Sequence, residues 1–81
     1  MRTRQQGLGD RNIVGARVEQ RRKELRMKQK DLLAKLQTGG IGLNASGLSK
    51  LEGQSRMVAD MELKQLAMAL DVSVHWLLGM E

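Results

Sequence analysis

The stretch "TGGIGLNASGLSKLEG", Thr38 to Gly53, decides the fold. It can be read in two ways. Gly40-Ile41-Gly42-Leu43-Asn44-Ala45 matches the G-x-G-x-x-G/A pattern that seats a dinucleotide pyrophosphate on a helix N-terminus. That pattern needs a context: a buried strand before the glycines, a helix opening on them, and an acidic residue ~20 positions on, after a second strand. Here Leu32, Leu33 and Leu36 precede the glycines at helical spacing. Nothing between Asn44 and Asp60 alternates as a strand does. The glycines therefore read as a loop of about six residues between two helices, because Gly39, Gly40 and Gly42 carry too much backbone entropy to remain helical. Ile41 and Leu43 are placed to anchor that loop in the core. No cofactor is expected.

Working outward from the loop, helical periodicity covers the chain from Asn12 on. Val14, Val18 and Leu25 share one face of a helix predicted over 12–25, with Asn12 as its N-cap. A second helix is predicted over 28–37. Asn44 caps a third, running to Glu52, with Leu48 and Leu51 inside and Gly53 ending it in the left-handed conformation. Asp60 is the predicted cap of a fourth helix, whose inner face is Leu63, Leu66, Ala67 and Leu70. Ser73 caps a short fifth, with Val74, Leu77 and Leu78 inward and Trp76 at the edge. The fold class is all-α, a compact five-helix domain over 12–81 preceded by a flexible basic arm over 1–11.

Composition narrows the partners. Eighty-one residues make one domain with a small core. The chain has no cysteine, so disulfides and thiolate metal sites are excluded. No apolar run reaches the ~18–20 residues of a membrane span, and the basic N-terminus has no apolar stretch behind it, so no secretory leader is expected. The net charge of +5 is unevenly spread: residues 1–30 hold ten basic and three acidic residues, whereas 31–81 hold four basic and six acidic. A basic half on a small domain points to a polyanion partner, most often nucleic acid; the plain alternative is a solvated face. Trp76 is the one aromatic residue. That disfavours modules which stack unpaired bases on several rings, and so favours duplex over single strand. His75 is the one histidine, which removes His clusters and catalytic triads. The six methionines, Met27, Met61 and Met68 among them, read as gap-filling core or ordinary surface.

The chain resembles the Cro and phage-repressor type (XRE) helix-turn-helix family from Val14 to Gly79, about 80% of its length. "VGARVEQRRKELRMKQKDLLAKL" resembles the family's first two helices. "LNASGLSKLEG" resembles its recognition helix, and "DMELKQLAMALDVSVHWLLG" its closing helices. Three positions depart from the pattern. The turn after the second helix is longer by about five residues than the usual single-glycine turn, Lys28 stands where Ser or Thr usually caps that helix, and Arg21 stands where an apolar residue is common.

The resemblance implies a lambda-repressor-like DNA-binding domain that inserts the helix at 44–52 into the major groove of double-stranded DNA. Ala45, Ser46 and Lys50 would face bases, with Asn44 and Ser49 close to bases or backbone. Lys50 can donate to guanine O6 and N7, Ala45 offers only a methyl, and Ser46 discriminates weakly, so part of the specificity would come from DNA shape. Gln29 matches a family position that grips a phosphate and braces the recognition helix, and Lys28, Lys30 and Arg56 are further phosphate candidates. Arg22 and Glu52 match a pair of positions expected to form a structural ion pair rather than a DNA contact.

The function implied is a sequence-specific transcriptional regulator, a repressor, acting as a homodimer in a cytoplasmic, nucleoid-associated setting of bacterial or phage origin. The expected dimer face is the fifth helix and C-terminus, through Trp76, Leu77 and Met80. A built-in small-molecule sensor is not expected. The alternative of another class is a protein-interaction module, such as an antitoxin holding its toxin, with Met1–Arg11 as a segment that orders on the partner. An enzyme or cofactor binder using Gly40–Ala45 is the third reading.

Overall fold

The computed structural model describes residues 7–81, which form five α-helices and, among these residues, no strand. They are α1 (Gly15–Glu24), α2 (Gln29–Thr38), α3 (Ala45–Glu52), α4 (Asp60–Leu70) and α5 (Val74–Leu77). The reason is the pattern of leucines. Val14, Val18, Leu32, Leu36, Leu48, Leu51, Leu66, Leu70 and Leu77 recur at helical spacing and all are buried in one core. α3 lies between α1 and α2, α4 packs on α1 and α2, and α5 closes against α4.

Every helix ends in the same way. A residue with positive φ follows the last turn: Arg26 (φ 58°), Gly40 (φ 94°), Gln54 (φ 59°), Asp71 (φ 55°) and Gly79 (φ 75°). The next amide then donates back five residues, as in Met27 N–H to Arg22 O and Ile41 N–H to Leu36 O, both 3.0 Å. This closure satisfies carbonyls that the helix leaves unpaired and turns the chain sharply. At the α2 end it also sends Ile41 into the core. Gln37 Nε2 donates to Leu43 O at 3.0 Å, which pins the far side of the same loop. Ile41 and Leu43 are both buried, so the glycine-rich segment is an anchored helix connection.

Several helix ends differ from the expected ones. α1 begins at Gly15 rather than Asn12, and Val14 is its N-cap. Asn12 still does the capping chemistry, because its Oδ1 accepts from Val14 N at 3.0 Å and Gly15 N at 2.8 Å. Leu25 is exposed, since the helix has already ended at Glu24 and Leu25 sits on the turn. α3 ends at Glu52 as expected, but Gly53 is its C-cap with an ordinary φ of −80° and the left-handed residue is the next one, Gln54. Ala59, not Asp60, is the N-cap of α4, and Glu62 Oε1 accepts the Ala59 N–H at 3.0 Å in place of a capping side chain. Asn44 and Ser73 cap α3 and α5 with their side chains, to Gly47 N and Trp76 N.

The N-terminal segment is not loose throughout. Gly9 N donates to Gly53 O and Arg11 N to Gln54 O, both at 2.9 Å. Residues 9–11 are thus strapped across the end of α3, which moves the expected arm boundary at residue 11 toward the N-terminus. The approach is so close that a Cβ at Gly9 would collide with the Gln54 carbonyl. Met1–Gln6, the rest of the expected arm, lie outside the described residues.

Candidate functional site

The best-defined construction in the molecule surrounds the end of α3. Glu52 is buried at 1% exposure and Arg22 at 8%. The two form a two-pronged ion pair: Arg22 Nε donates to Glu52 Oε2 at 2.7 Å and Nη2 to Oε1 at 3.0 Å. The third guanidinium arm, Nη1, donates to Met27 O at 2.9 Å. Gln29 Nε2 adds a bond to Glu52 Oε1 at 3.0 Å. One carboxylate on α3 therefore ties together α1, the α1–α2 turn and the start of α2. No side-chain polar atom buried among the described residues lacks a hydrogen-bond partner, as such a network requires.

A second set of bonds holds α3 from the other side. Asn12 Nδ2 donates to Leu51 O at 3.1 Å and Arg56 O at 2.9 Å. Gln54 Nε2 donates to Asn12 O at 2.7 Å. A Cβ at Gly15 would collide with the Leu51 carbonyl, so the first turn of α1 lies directly on the last turn of α3. Gln54 and Gly15 carry no charge and no periodic signal, which is why the sequence did not mark them, and Asn12 was marked only as a helix cap.

The outer face of α3 is the opposite. Asn44, Ala45, Ser46, Ser49 and Lys50 are all exposed. Ser46, Ser49 and Lys50 line one open groove with Ser55 and with the backbone of Gly7, Gly9 and Gly53. The strap thus forms one wall beside the exposed face of α3, and its glycines leave that wall low. Lys28 and Lys30 are exposed at the start of α2. The Lys28 side chain makes no capping bond; its backbone N–H donates instead to Asp31 Oδ2 at 2.8 Å. Gln29 between them is half-buried and turned toward Glu52.

Arg56 differs from the other cations of the set. Its guanidinium donates to both oxygens of Glu62, at 3.3 and 3.1 Å, so its charge is already matched. Arg21, at the unusual position, donates from Nε to Leu70 O at 2.9 Å, which ties α1 to the end of α4. Arg17, unmarked in the sequence, lies 4.9 Å from the centre of the Trp76 ring. Of the residues of the expected dimer face, Leu77 is fully buried in the core, Trp76 is half-covered and Met80 is exposed. His75 is exposed, and no cluster of three or more metal-ligating side chains exists among the described residues. No helix there is long and apolar enough to cross a membrane.

The chain matches no protein-family model, no curated protein and no solved structure.

Proposed function

We propose that this chain is a sequence-specific double-stranded DNA-binding transcriptional regulator, a repressor, of the helix-turn-helix kind. The observation that carries the reading is the two-sided character of α3. Its inner side and C-terminal end are fixed to α1, α2 and the strap, while its outer side presents short polar side chains and one lysine. A helix read against base edges needs both properties: small side chains that let its axis approach the groove, and a rigid mount that sets their register.

The roles follow from position. Lys50 donates to guanine in the groove, Ser46 and Ser49 make adaptable hydrogen bonds, and Ala45 meets a thymine methyl. Asn44 holds the N-terminus of α3 and stands beside the backbone. Lys28 and Lys30, with the first amides of α2, hold a phosphate, and Gln29 holds α3 through Glu52 while its amide edge faces the same phosphate. Arg56 contributes less than its charge implies, because phosphate would compete with Glu62. The Arg22–Glu52 pair touches no DNA and acts only as the mount.

The test is duplex binding by fluorescence anisotropy at several salt concentrations, with sites selected from a random pool. The reading expects affinity to fall steeply with log salt, and a selected palindrome to bind ~10³-fold or more tighter than random duplex. Weak binding, equal for all duplexes, would leave only a sticky basic face and end the reading.

A further inference from the structure

Three residues other than glycine hold a left-handed backbone: Arg26 (φ 58°), Gln54 (φ 59°) and Asp71 (φ 55°). Two have a local reason. The Gln54 side chain is secured, with its Nε2 donating to Asn12 O at 2.7 Å. Aspartate is one of the few side chains that visit this region readily. Arg26 has neither reason. Its side chain is exposed and makes no hydrogen bond or ion pair with another described residue. A glycine would hold the same turn with less strain. A strained residue that gives nothing back to the fold points to a use outside it.

The surroundings of Arg26 narrow that use. Arg26, Lys28 and Lys30 put three cations in five positions with no acidic residue among them. The acidic groups nearby are already engaged: Glu24 with Arg21 and Gln20, Glu19 with Lys23, and Asp31 with the Lys28 N–H. The result is a patch of self-repelling positive charge, which a polyanion relieves. The patch is also rigid. Arg26 N–H donates to Lys23 O and Met27 N–H to Arg22 O, both at 3.0 Å, and Arg22 Nη1 donates to Met27 O at 2.9 Å. Arg22 is the partner of Glu52, so the turn that bears Arg26 is fixed to α3 by the same ion pair that mounts α3.

We infer that Arg26 is a backbone contact to the duplex: its guanidinium holds a phosphate beside the one held by Lys28 and Lys30, and so fixes the strand relative to α3. The planar fork of arginine suits a phosphodiester, whose two free oxygens accept two parallel N–H bonds. Lysine would bring the charge without the fork. The inference rests on the duplex-binding reading of α3. It adds to that reading a residue at which stability and affinity are opposed: the left-handed turn disfavours any side chain at position 26, and the phosphate requires one.

The experiment is binding of the full chain to a selected duplex across a salt series, with urea unfolding alongside. The proteins are the wild type, Arg26→Gly, Arg26→Gln, Arg26→Lys and Lys64→Gln. Lys64 is an exposed cation of α4 and serves as the control for total charge. Arg26→Gly and Arg26→Gln are expected to bind ~10-fold more weakly at ~0.1 M salt, and to lower the slope of log affinity against log salt by ~0.9, as the loss of one phosphate contact does. Arg26→Lys is expected to keep the slope and recover part of the affinity. In urea, Arg26→Gly is expected to be slightly more stable than the wild type and Arg26→Gln equal to it, so that binding falls where stability does not. Lys64→Gln is expected to change affinity and slope far less. Wild-type affinity and slope in Arg26→Gly and Arg26→Gln would overturn the inference. So would a loss of stability in Arg26→Gly, which would make Arg26 a structural residue, or an equal loss of affinity in Lys64→Gln, which would leave only total charge. A wild type that binds no duplex at any salt would end the reading of α3 and this inference with it. A wild type that binds, with Arg26 variants that bind equally well, would end this inference alone.

Discussion

The two sides of α3 are built to different rules. On the inner side, Leu48, Leu51 and Glu52 are each at most 1% exposed, and Glu52 is held by two other parts of the chain. On the outer side, Ala45, Ser46, Ser49 and Lys50 bear on nothing but solvent and the low wall of the strap. Eight residues thus contain both fully buried and fully solvent-facing positions of the domain. The difference separates what sets the helix in place from what the helix offers. Substitutions on the inner side are expected to act through stability, and those on the outer side through binding.

The largest effect is expected where the mount is charged. Arg22→Ala takes the guanidinium away from the buried Glu52 carboxylate, and breaking a buried ion pair by removing one partner costs ~3–5 kcal/mol. That is a large share of the ~4–12 kcal/mol available to a domain of this length. Thermal or urea unfolding is the measurement, and an unchanged melting temperature would show that the pair is not part of the mount. Next comes the uncharged side of the same mount. Gly15→Ala forces a methyl group against the Leu51 carbonyl, backbone against backbone, and is expected to cost ~1–3 kcal/mol in urea unfolding.

Lys50→Ala sharpens the contrast. Stability is expected to stay within ~0.5 kcal/mol of the wild type, while affinity for a selected duplex falls by ~1–3 kcal/mol. A variant that lost stability and kept affinity would invert the comparison. The smallest effect is expected at a helix end. Arg26 holds a left-handed φ of 58° that costs a side-chain-bearing residue energy. Arg26→Gly relieves it at some cost in unfolded-chain entropy, for a net gain of about 0.5 kcal/mol, readable as a small rise in the urea midpoint.

The sequence carried the inner side of the fold well and its fastenings poorly. Apolar periodicity, of leucines in α2 to α5 and of valines in α1, placed all five helices, because burial is repeated at many positions and tolerates error at any one, as at Leu25. The anchoring of the glycine loop was legible for the same reason: Ile41 and Leu43 are apolar residues isolated among glycines. Single-residue geometry was not. The left-handed turn falls on Gln54 although Gly53 stands beside it, since the length of α3 fixes where the turn must occur and the Gln54 side chain secures it on Asn12 O. Asn12 looked like a simple cap, yet it joins α1, the strap and two carbonyls near α3. Such bonds span about 40 residues of sequence, and no local pattern announces them. The outer face was legible as a set of residue types, but Arg56 counted as a free cation until its pairing with Glu62 was visible.

The most direct test of the division within α3 is backbone amide mapping by NMR during titration with a selected duplex. The account predicts shift changes concentrated on Asn44–Lys50 and Lys28–Lys30, and retained slow exchange at Leu51 and Glu52. Changes centred on α4 or α5, with Ser46, Ser49 and Lys50 unmoved, would contradict it.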